Sequence, residues 1–154
     1  MTESHEIAKL IASQFTLIKK GASERSYKLN NWRVIAKIKW NRSWINLNIK
    51  GTHLDNDCEF EYFKLRKAYI MSFISRSETY NSIGGKSPVS EVILSSPEAQ
   101  NLMNSKYPKI VVNKNQIEFQ GAIQKKDLES LSNVFTLFDT LLLDIENTLK
   151  QNTK

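Results

Sequence analysis

The sequence predicts an α+β domain: an antiparallel sheet of about five to seven strands with an N-terminal helix, a short middle helix and a long C-terminal helix packed mainly on one face. Three observations predict it. Residues 32–40 and 44–50 alternate apolar and polar side chains with the two-residue period of a half-buried strand. Both ends of the chain instead repeat apolar residues at intervals of three and four, the period of a helix. The 154 residues contain only 5 Gly and 3 Pro, with no repeat and no linker-like stretch. One domain over residues 1–150 is therefore expected, followed by a disordered tail at 151–154.

The first helix is expected from about Glu3 to Lys20, with Ile7, Leu10, Ile11, Phe15 and Ile18 on its apolar stripe. Thr2 or Ser4 can cap its start, and Gly21 stands where a left-handed terminating residue belongs. A short strand over Arg25–Leu29 follows, and Asn30-Asn31 forms a turn able to take positive φ. Trp32–Trp40 then puts Trp32, Val34, Ala36, Ile38 and Trp40 on one face. The next strand, Trp44–Lys50, points Ile45, Leu47 and Ile49 inward and Trp44, Asn46, Asn48 and Lys50 outward.

Residues 58–75 are ambiguous. As a helix their apolar side chains scatter around the wheel; as strand they alternate, with one phase slip near Tyr62 to Ala68 that a bulge accommodates. Two strands are expected there. Residues 76–88 read as a loop and Val89–Leu94 as a short strand. Ser95-Ser96-Pro97-Glu98 marks a helix start that runs to about Asn104. A second hairpin pairs Lys109–Val112 with Gln116–Gln120. The last helix is expected from about Lys126 to Lys150. Its seam of Leu128, Leu131, Phe135, Phe138, Leu142, Ile145 and Leu149 is a candidate for self-association as a homodimer. Val134, Leu137, Leu141 and Leu143 widen that arc, which favours packing on the chain's own sheet.

Signals for catalysis are weak. Gly84-Gly85-Lys86-Ser87 resembles a fragment of a phosphate loop, but the required earlier glycine is Tyr80, the preceding stretch is polar and Pro88 follows. His53, Asp55, Asp57, Cys58 and Glu59 cluster in sequence, yet supply only two N or S ligands for a zinc site and no calcium-loop spacing. Cys58 with His5 or His53 would need a depressed thiol pKa, whereas its neighbours are acidic. Glu59 and Glu61 share an outward strand face with no sign of a pocket. No metal or cofactor is expected, and the balance is against an enzyme. One cysteine fits a reducing compartment, no segment is apolar enough to insert in a membrane, and no signal peptide is apparent, so a cytoplasmic location is expected.

Charge is unevenly laid out. Of 22 basic and 16 acidic side chains, residues 1–78 hold 14 and 8, the remainder 8 and 8. The whole excess of +6 therefore lies in the first half. It concentrates on the predicted hairpin, where Arg33, Lys37, Lys39, Arg42, Trp44, Asn46, Asn48 and Lys50 form a candidate surface for an anionic ligand or partner. The leading expectation is a small non-catalytic cytoplasmic interaction or adaptor protein, binding a protein partner through this face or the C-terminal helix. The alternative is a nucleic-acid-binding protein in which lysines neutralise phosphates and Trp44 stacks on an unpaired base.

Overall fold

The computed structural model describes residues 3–17, 19–55, 57–68, 79–124 and 128–152. Helix α1 (Glu3–Leu17) leads into strands β1 (Gly21–Leu29), β2 (Trp32–Trp40), β3 (Trp44–His53), β4 (Phe60–Ala68) and β5 (Thr79–Ile83). Helices α2 (Pro88–Ser95) and α3 (Pro97–Leu102), strands β6 (Lys106–Lys114) and β7 (Gln116–Gln124) and helix α4 (Leu128–Asn152) complete the chain. All seven strands join one antiparallel sheet in the order β1-β2-β3-β7-β6-β4-β5.

The pleat sends alternate side chains to opposite faces, and among the described residues the helices cover one of them. Tyr27, Trp32, Val34, Ala36, Ile38, Ile45, Leu47, Ile49, Ile110, Val112, Ile117 and Phe119 are buried on that side, against one continuous core. Helix α4 seals them with Leu131, Phe135, Phe138, Leu142 and Ile145, each fully buried. It also collects α1, α2 and α3 against itself. Among the described residues no helix lies on the other face, where Lys37, Lys39 and Asn46 are exposed to solvent.

Two buried polar bridges fix α4 in place. The Tyr27 hydroxyl donates to Asp139 at 2.5 Å. Glu146 accepts from Asn31 Nδ2 at 2.6 Å and lies 2.8 Å from His53 Nε2. The backbone N–H of Asp55 donates to His53 Nδ1, so Nε2 is the ring nitrogen that carries hydrogen toward Glu146.

Several local expectations hold. Asn30 takes the positive φ of the β1–β2 turn, at 50°. The phase slip in 58–75 is a register shift between Phe60 and Phe63, which buries both and leaves Tyr62 exposed. The second strand expected by residue 75 falls on 69–75, outside the described residues, as do Ile18 and the last tail positions 153–154.

Others are corrected. Gly21 opens β1 instead of ending a helix in left-handed conformation; it pairs with Trp40, whose ring fills the space a Cβ would need. Residues 79–83 are a strand, not loop: β5 is a short edge strand paired only with β4, and an edge demands little apolar pattern. Residues 89–94 are helix, not strand. Ser87 and Ser90 form a reciprocal capping box with Pro88 in the first turn, so what reads as an apolar run is one and a half turns of α2. At the expected helix start Ser96 caps α3, its hydroxyl oxygen accepting from the Ala99 N–H. Helix α4 continues to Asn152, two residues into the expected tail.

Candidate functional site

The candidate surface residues converge because strand pairing brings β2, β3, β7 and β6 side by side. Two transverse rows cross the open face. Lys37, Asn48, Gln120 and Lys109 are successive partners in one row; Lys39, Asn46, Ala122 and Lys106 make the next. Each row is an amide or alanine centre flanked by lysines, roughly 14 Å from end to end at the usual spacing between strands. Arg33 lies on the same face farther toward the β1–β2 turn, opposite Thr52. Lys50 is half-buried and engaged by Glu118 at 3.8 Å. Glu118 also accepts from Gln120. The face is not free of acid, since Glu24 on β1 stands opposite Lys37.

Trp44 sits where the face meets the end of the sheet. It is half-buried, and the Lys106 ammonium lies 4.2 Å from its ring centroid and 5.3 Å from that of Tyr107. A bulge puts these groups together. Between Lys106 and Lys109 the β6 register slips by one residue, and Tyr107 takes φ 53° with its side chain 67% exposed. The loop before Trp44 is held by Asn41, whose Oδ1 accepts from the backbone N–H groups of Ser43 and Trp44. Arg42 is exposed beside it.

Four open hollows surround this point. The largest, about 850 Å³, runs between the α3–β6 connection, the end of β7 and α4, and includes Trp44, Lys106 and Tyr107 in its wall. A second of about 430 Å³ lies over the Lys37 and Lys39 rows and shares Lys106 and Tyr107. Two more, of about 300 and 500 Å³, meet at Arg42, Ser43 and Trp44, and the last of them reaches Lys20. Lys106 and Tyr107 lie outside the predicted hairpin; a basic-aromatic pair next to Pro108 was the only sequence signal for them.

The acidic cluster forms no such site. His53 is buried on Glu146, and Asp55 and Asp57 are exposed in a turn closed by Asp55 Oδ1 accepting from the Asp57 N–H. Burial, then the charges of Asp55 and Glu146, pushes the Cys58 thiol up from its ordinary value, the wrong direction for a nucleophile. Among the described residues no three His, Cys, Asp or Glu side chains gather as a metal site. A strand and a helix do flank Gly84–Ser87, contrary to expectation, but the Ser87–Ser90 capping box already uses the helix-start amide that an anion would need.

The self-association seam faces inward. Leu131, Phe135, Phe138, Leu142 and Ile145 are fully buried and Leu149 packs partly on the same core; the side chain of Leu128 is outside the described set. Among the described residues no helix is long and apolar enough to cross a membrane. No known family model, curated protein or solved structure matches this chain.

Proposed function

We propose that this chain is a small, non-catalytic interaction protein of the cytoplasm that grips an acidic macromolecular partner through its open sheet face. One observation carries the reading: among the described residues the seven-stranded sheet is covered by helices on one side, and its other side presents rows ending in Lys37, Lys39, Lys106 and Lys109. The C-terminal helix is not carried forward as a docking element, because its seam is spent on the core. The raised thiol of Cys58 and the buried, hydrogen-bonded state of His53 and Glu146 support a non-catalytic role. The free Cys58 fits a reducing compartment.

The test is retention on a sulfated polysaccharide column. Lys37→Glu/Lys39→Glu should elute at clearly lower salt than Lys19→Glu/Lys86→Glu, which changes net charge by the same amount away from the rows. Equal elution of the two variants would remove the open face from the reading.

A further inference from the structure

The hollows around Trp44 share a chemistry that the sheet face alone does not specify. They connect: Trp44 lines three of the four, and Lys106 and Tyr107 join the largest to the one over the lysine rows. Their walls bring in five cations, Lys20, Lys37, Lys39, Arg42 and Lys106, and among the described residues not one aspartate or glutamate. The remaining polar lining is largely side-chain amide, including Asn46, Asn48, Gln120 and Gln124. An extended, shallow track walled by cations and amides, with Glu24 and Glu118 at its margin, suits a linear polyanion better than a compact metabolite.

Resting on the reading of the open face above, we propose that this track binds single-stranded nucleic acid, with the backbone following the cations and a base stacked at Trp44. Charge complementarity selects a polyanion. The aromatic pair selects one that carries flat rings: Trp44 and Tyr107 flank Lys106 at the junction of the hollows, and base–aromatic stacking is available only to unpaired bases. Amides in the middle of the track offer both donors and acceptors to exposed base edges. An acidic protein partner fits less well over the lysine rows, whose centre is Asn46, Asn48 and Gln120, although the largest hollow carries Ile123, Val134 and Leu137 in its wall. Lys106, with its ammonium 4.2 Å from the Trp44 ring centroid, places a cation for a phosphate beside the ring on which a base would stack.

The experiment is a fluorescence-anisotropy titration of the full chain with a labelled oligothymidylate, a duplex of the same length and a polyglutamate peptide, from low to physiological salt. The expected result is tightest binding of the single strand. Its logarithmic salt slope should be about −2 to −3.5, for three to five neutralised phosphates. Trp44→Leu should weaken binding by about 5- to 150-fold. Arg42→Ala and Lys106→Ala should each flatten the slope by about 0.7. Tyr107→Asn, which tolerates the left-handed backbone, provides a second aromatic deletion should Trp44→Leu fail to fold. Duplex bound as tightly as single strand, with neither aromatic variant affected, overturns this inference yet leaves the open face as a general acidic-partner surface. Polyglutamate bound in preference to the oligonucleotide overturns it in favour of a protein partner. No retention on the sulfated column and no binding of any of the three probes ends both readings.

Discussion

Gly51 is the position where the placement of α4 on the sheet can be tested most directly. It lies on the covered face of β3, between Ile49 and His53, and is itself buried. A Cβ built there would stand 2.8 Å from Leu142 Cδ1 and 3.0 Å from Cδ2. Carbon atoms prefer roughly 3.5–4.0 Å, so the overlap is about 0.5–1 Å on two methyls at once. Leu142 is fully buried and has no open direction in which to move. Gly51→Ala should therefore cost about 1–3 kcal/mol through overpacking, despite the usual gain from replacing a strand glycine. Leu142→Ala alone should cost about 2–5 kcal/mol through its cavity. In the double variant the new methyl enters the space Leu142 vacates, so the combined loss should fall short of the sum by about 0.5–3 kcal/mol. Urea unfolding monitored by tryptophan fluorescence measures all three, and each kcal/mol corresponds to about 2–4 °C in Tm for a chain of this size. A neutral Gly51→Ala, or strict additivity in the double variant, would refute the seating of α4 on β3. Binding to the open face should be unchanged in Gly51→Ala, because the glycine points the other way.

Three further outcomes follow from the polar contacts. Asp139 has its pKa raised by burial, against the opposing hydrogen bonds of Tyr27 and Ser4, so the native state holds its proton more tightly than the unfolded chain. Its contribution to stability is greatest below the unfolded value near 4 and is lost as pH rises through the native one. Asp139→Asn, which retains an acceptor for Tyr27, should gain stability relative to wild type between pH 4 and 7; a constant difference by urea unfolding rejects burial as the cause. Glu146→Ala strands His53 Nε2, a buried donor whose loss of a partner costs about 1–3 kcal/mol, while the exposed Asn31 turns to water, and should melt below Glu146→Gln; the reverse order in a thermal scan contradicts the network. The Cys58 thiol, raised first by burial and then by Asp55 and Glu146, should react slowly with iodoacetamide near pH 8, and Asp55→Asn should speed it; an unaltered rate removes Asp55 as a cause.

The parts of this fold that were legible in the sequence are those in which water touches one side of an element. Trp32–Trp40 and Trp44–Lys50 read as strands because β2 and β3 are covered on one face and bare on the other, so their alternation is written in residue type. The candidate surface was legible for the same reason. What escaped depends on contacts remote in sequence or on a single local cap. Val89–Leu94 is too short for its apolar residues to declare a period, and the deciding signal was Ser87-Pro88, which loop composition concealed. Strand β5 exists through its pairing with β4 and has little apolar pattern of its own. Lys106 reaches Trp44 only through the β6–β7 register and a bulge. Glu146 meets His53 across 93 residues, and nothing near either one anticipates it.

An open sheet face needs charge for solubility whether or not it binds anything, and lysines on it also discourage edge-to-edge pairing. That requirement is indifferent to where the charges sit and to their sign; a binding track is not. Here the carboxylates are unevenly placed along the strands, although Lys28 and Arg33 stand with them at the His53 end. Lys20, Lys39, Arg42 and Lys106 gather at the Trp44 end of the sheet. Asp55, Asp57 and Glu59 follow or precede strand ends at the opposite, His53 end, near the carboxylate of Glu146. Exchanging one charge between the ends separates the two roles. Arg42→Glu combined with Asp57→Lys keeps the net charge at +6 and alters two exposed side chains, so solubility should be unchanged and the unfolding free energy should stay within about 0.5 kcal/mol of wild type. Oligonucleotide affinity should nonetheless fall and its salt slope flatten, because a cation of the track has become a carboxylate. Unchanged affinity in this swapped variant would mean that the excess charge acts only in bulk, and that the Trp44 end has no special part in binding.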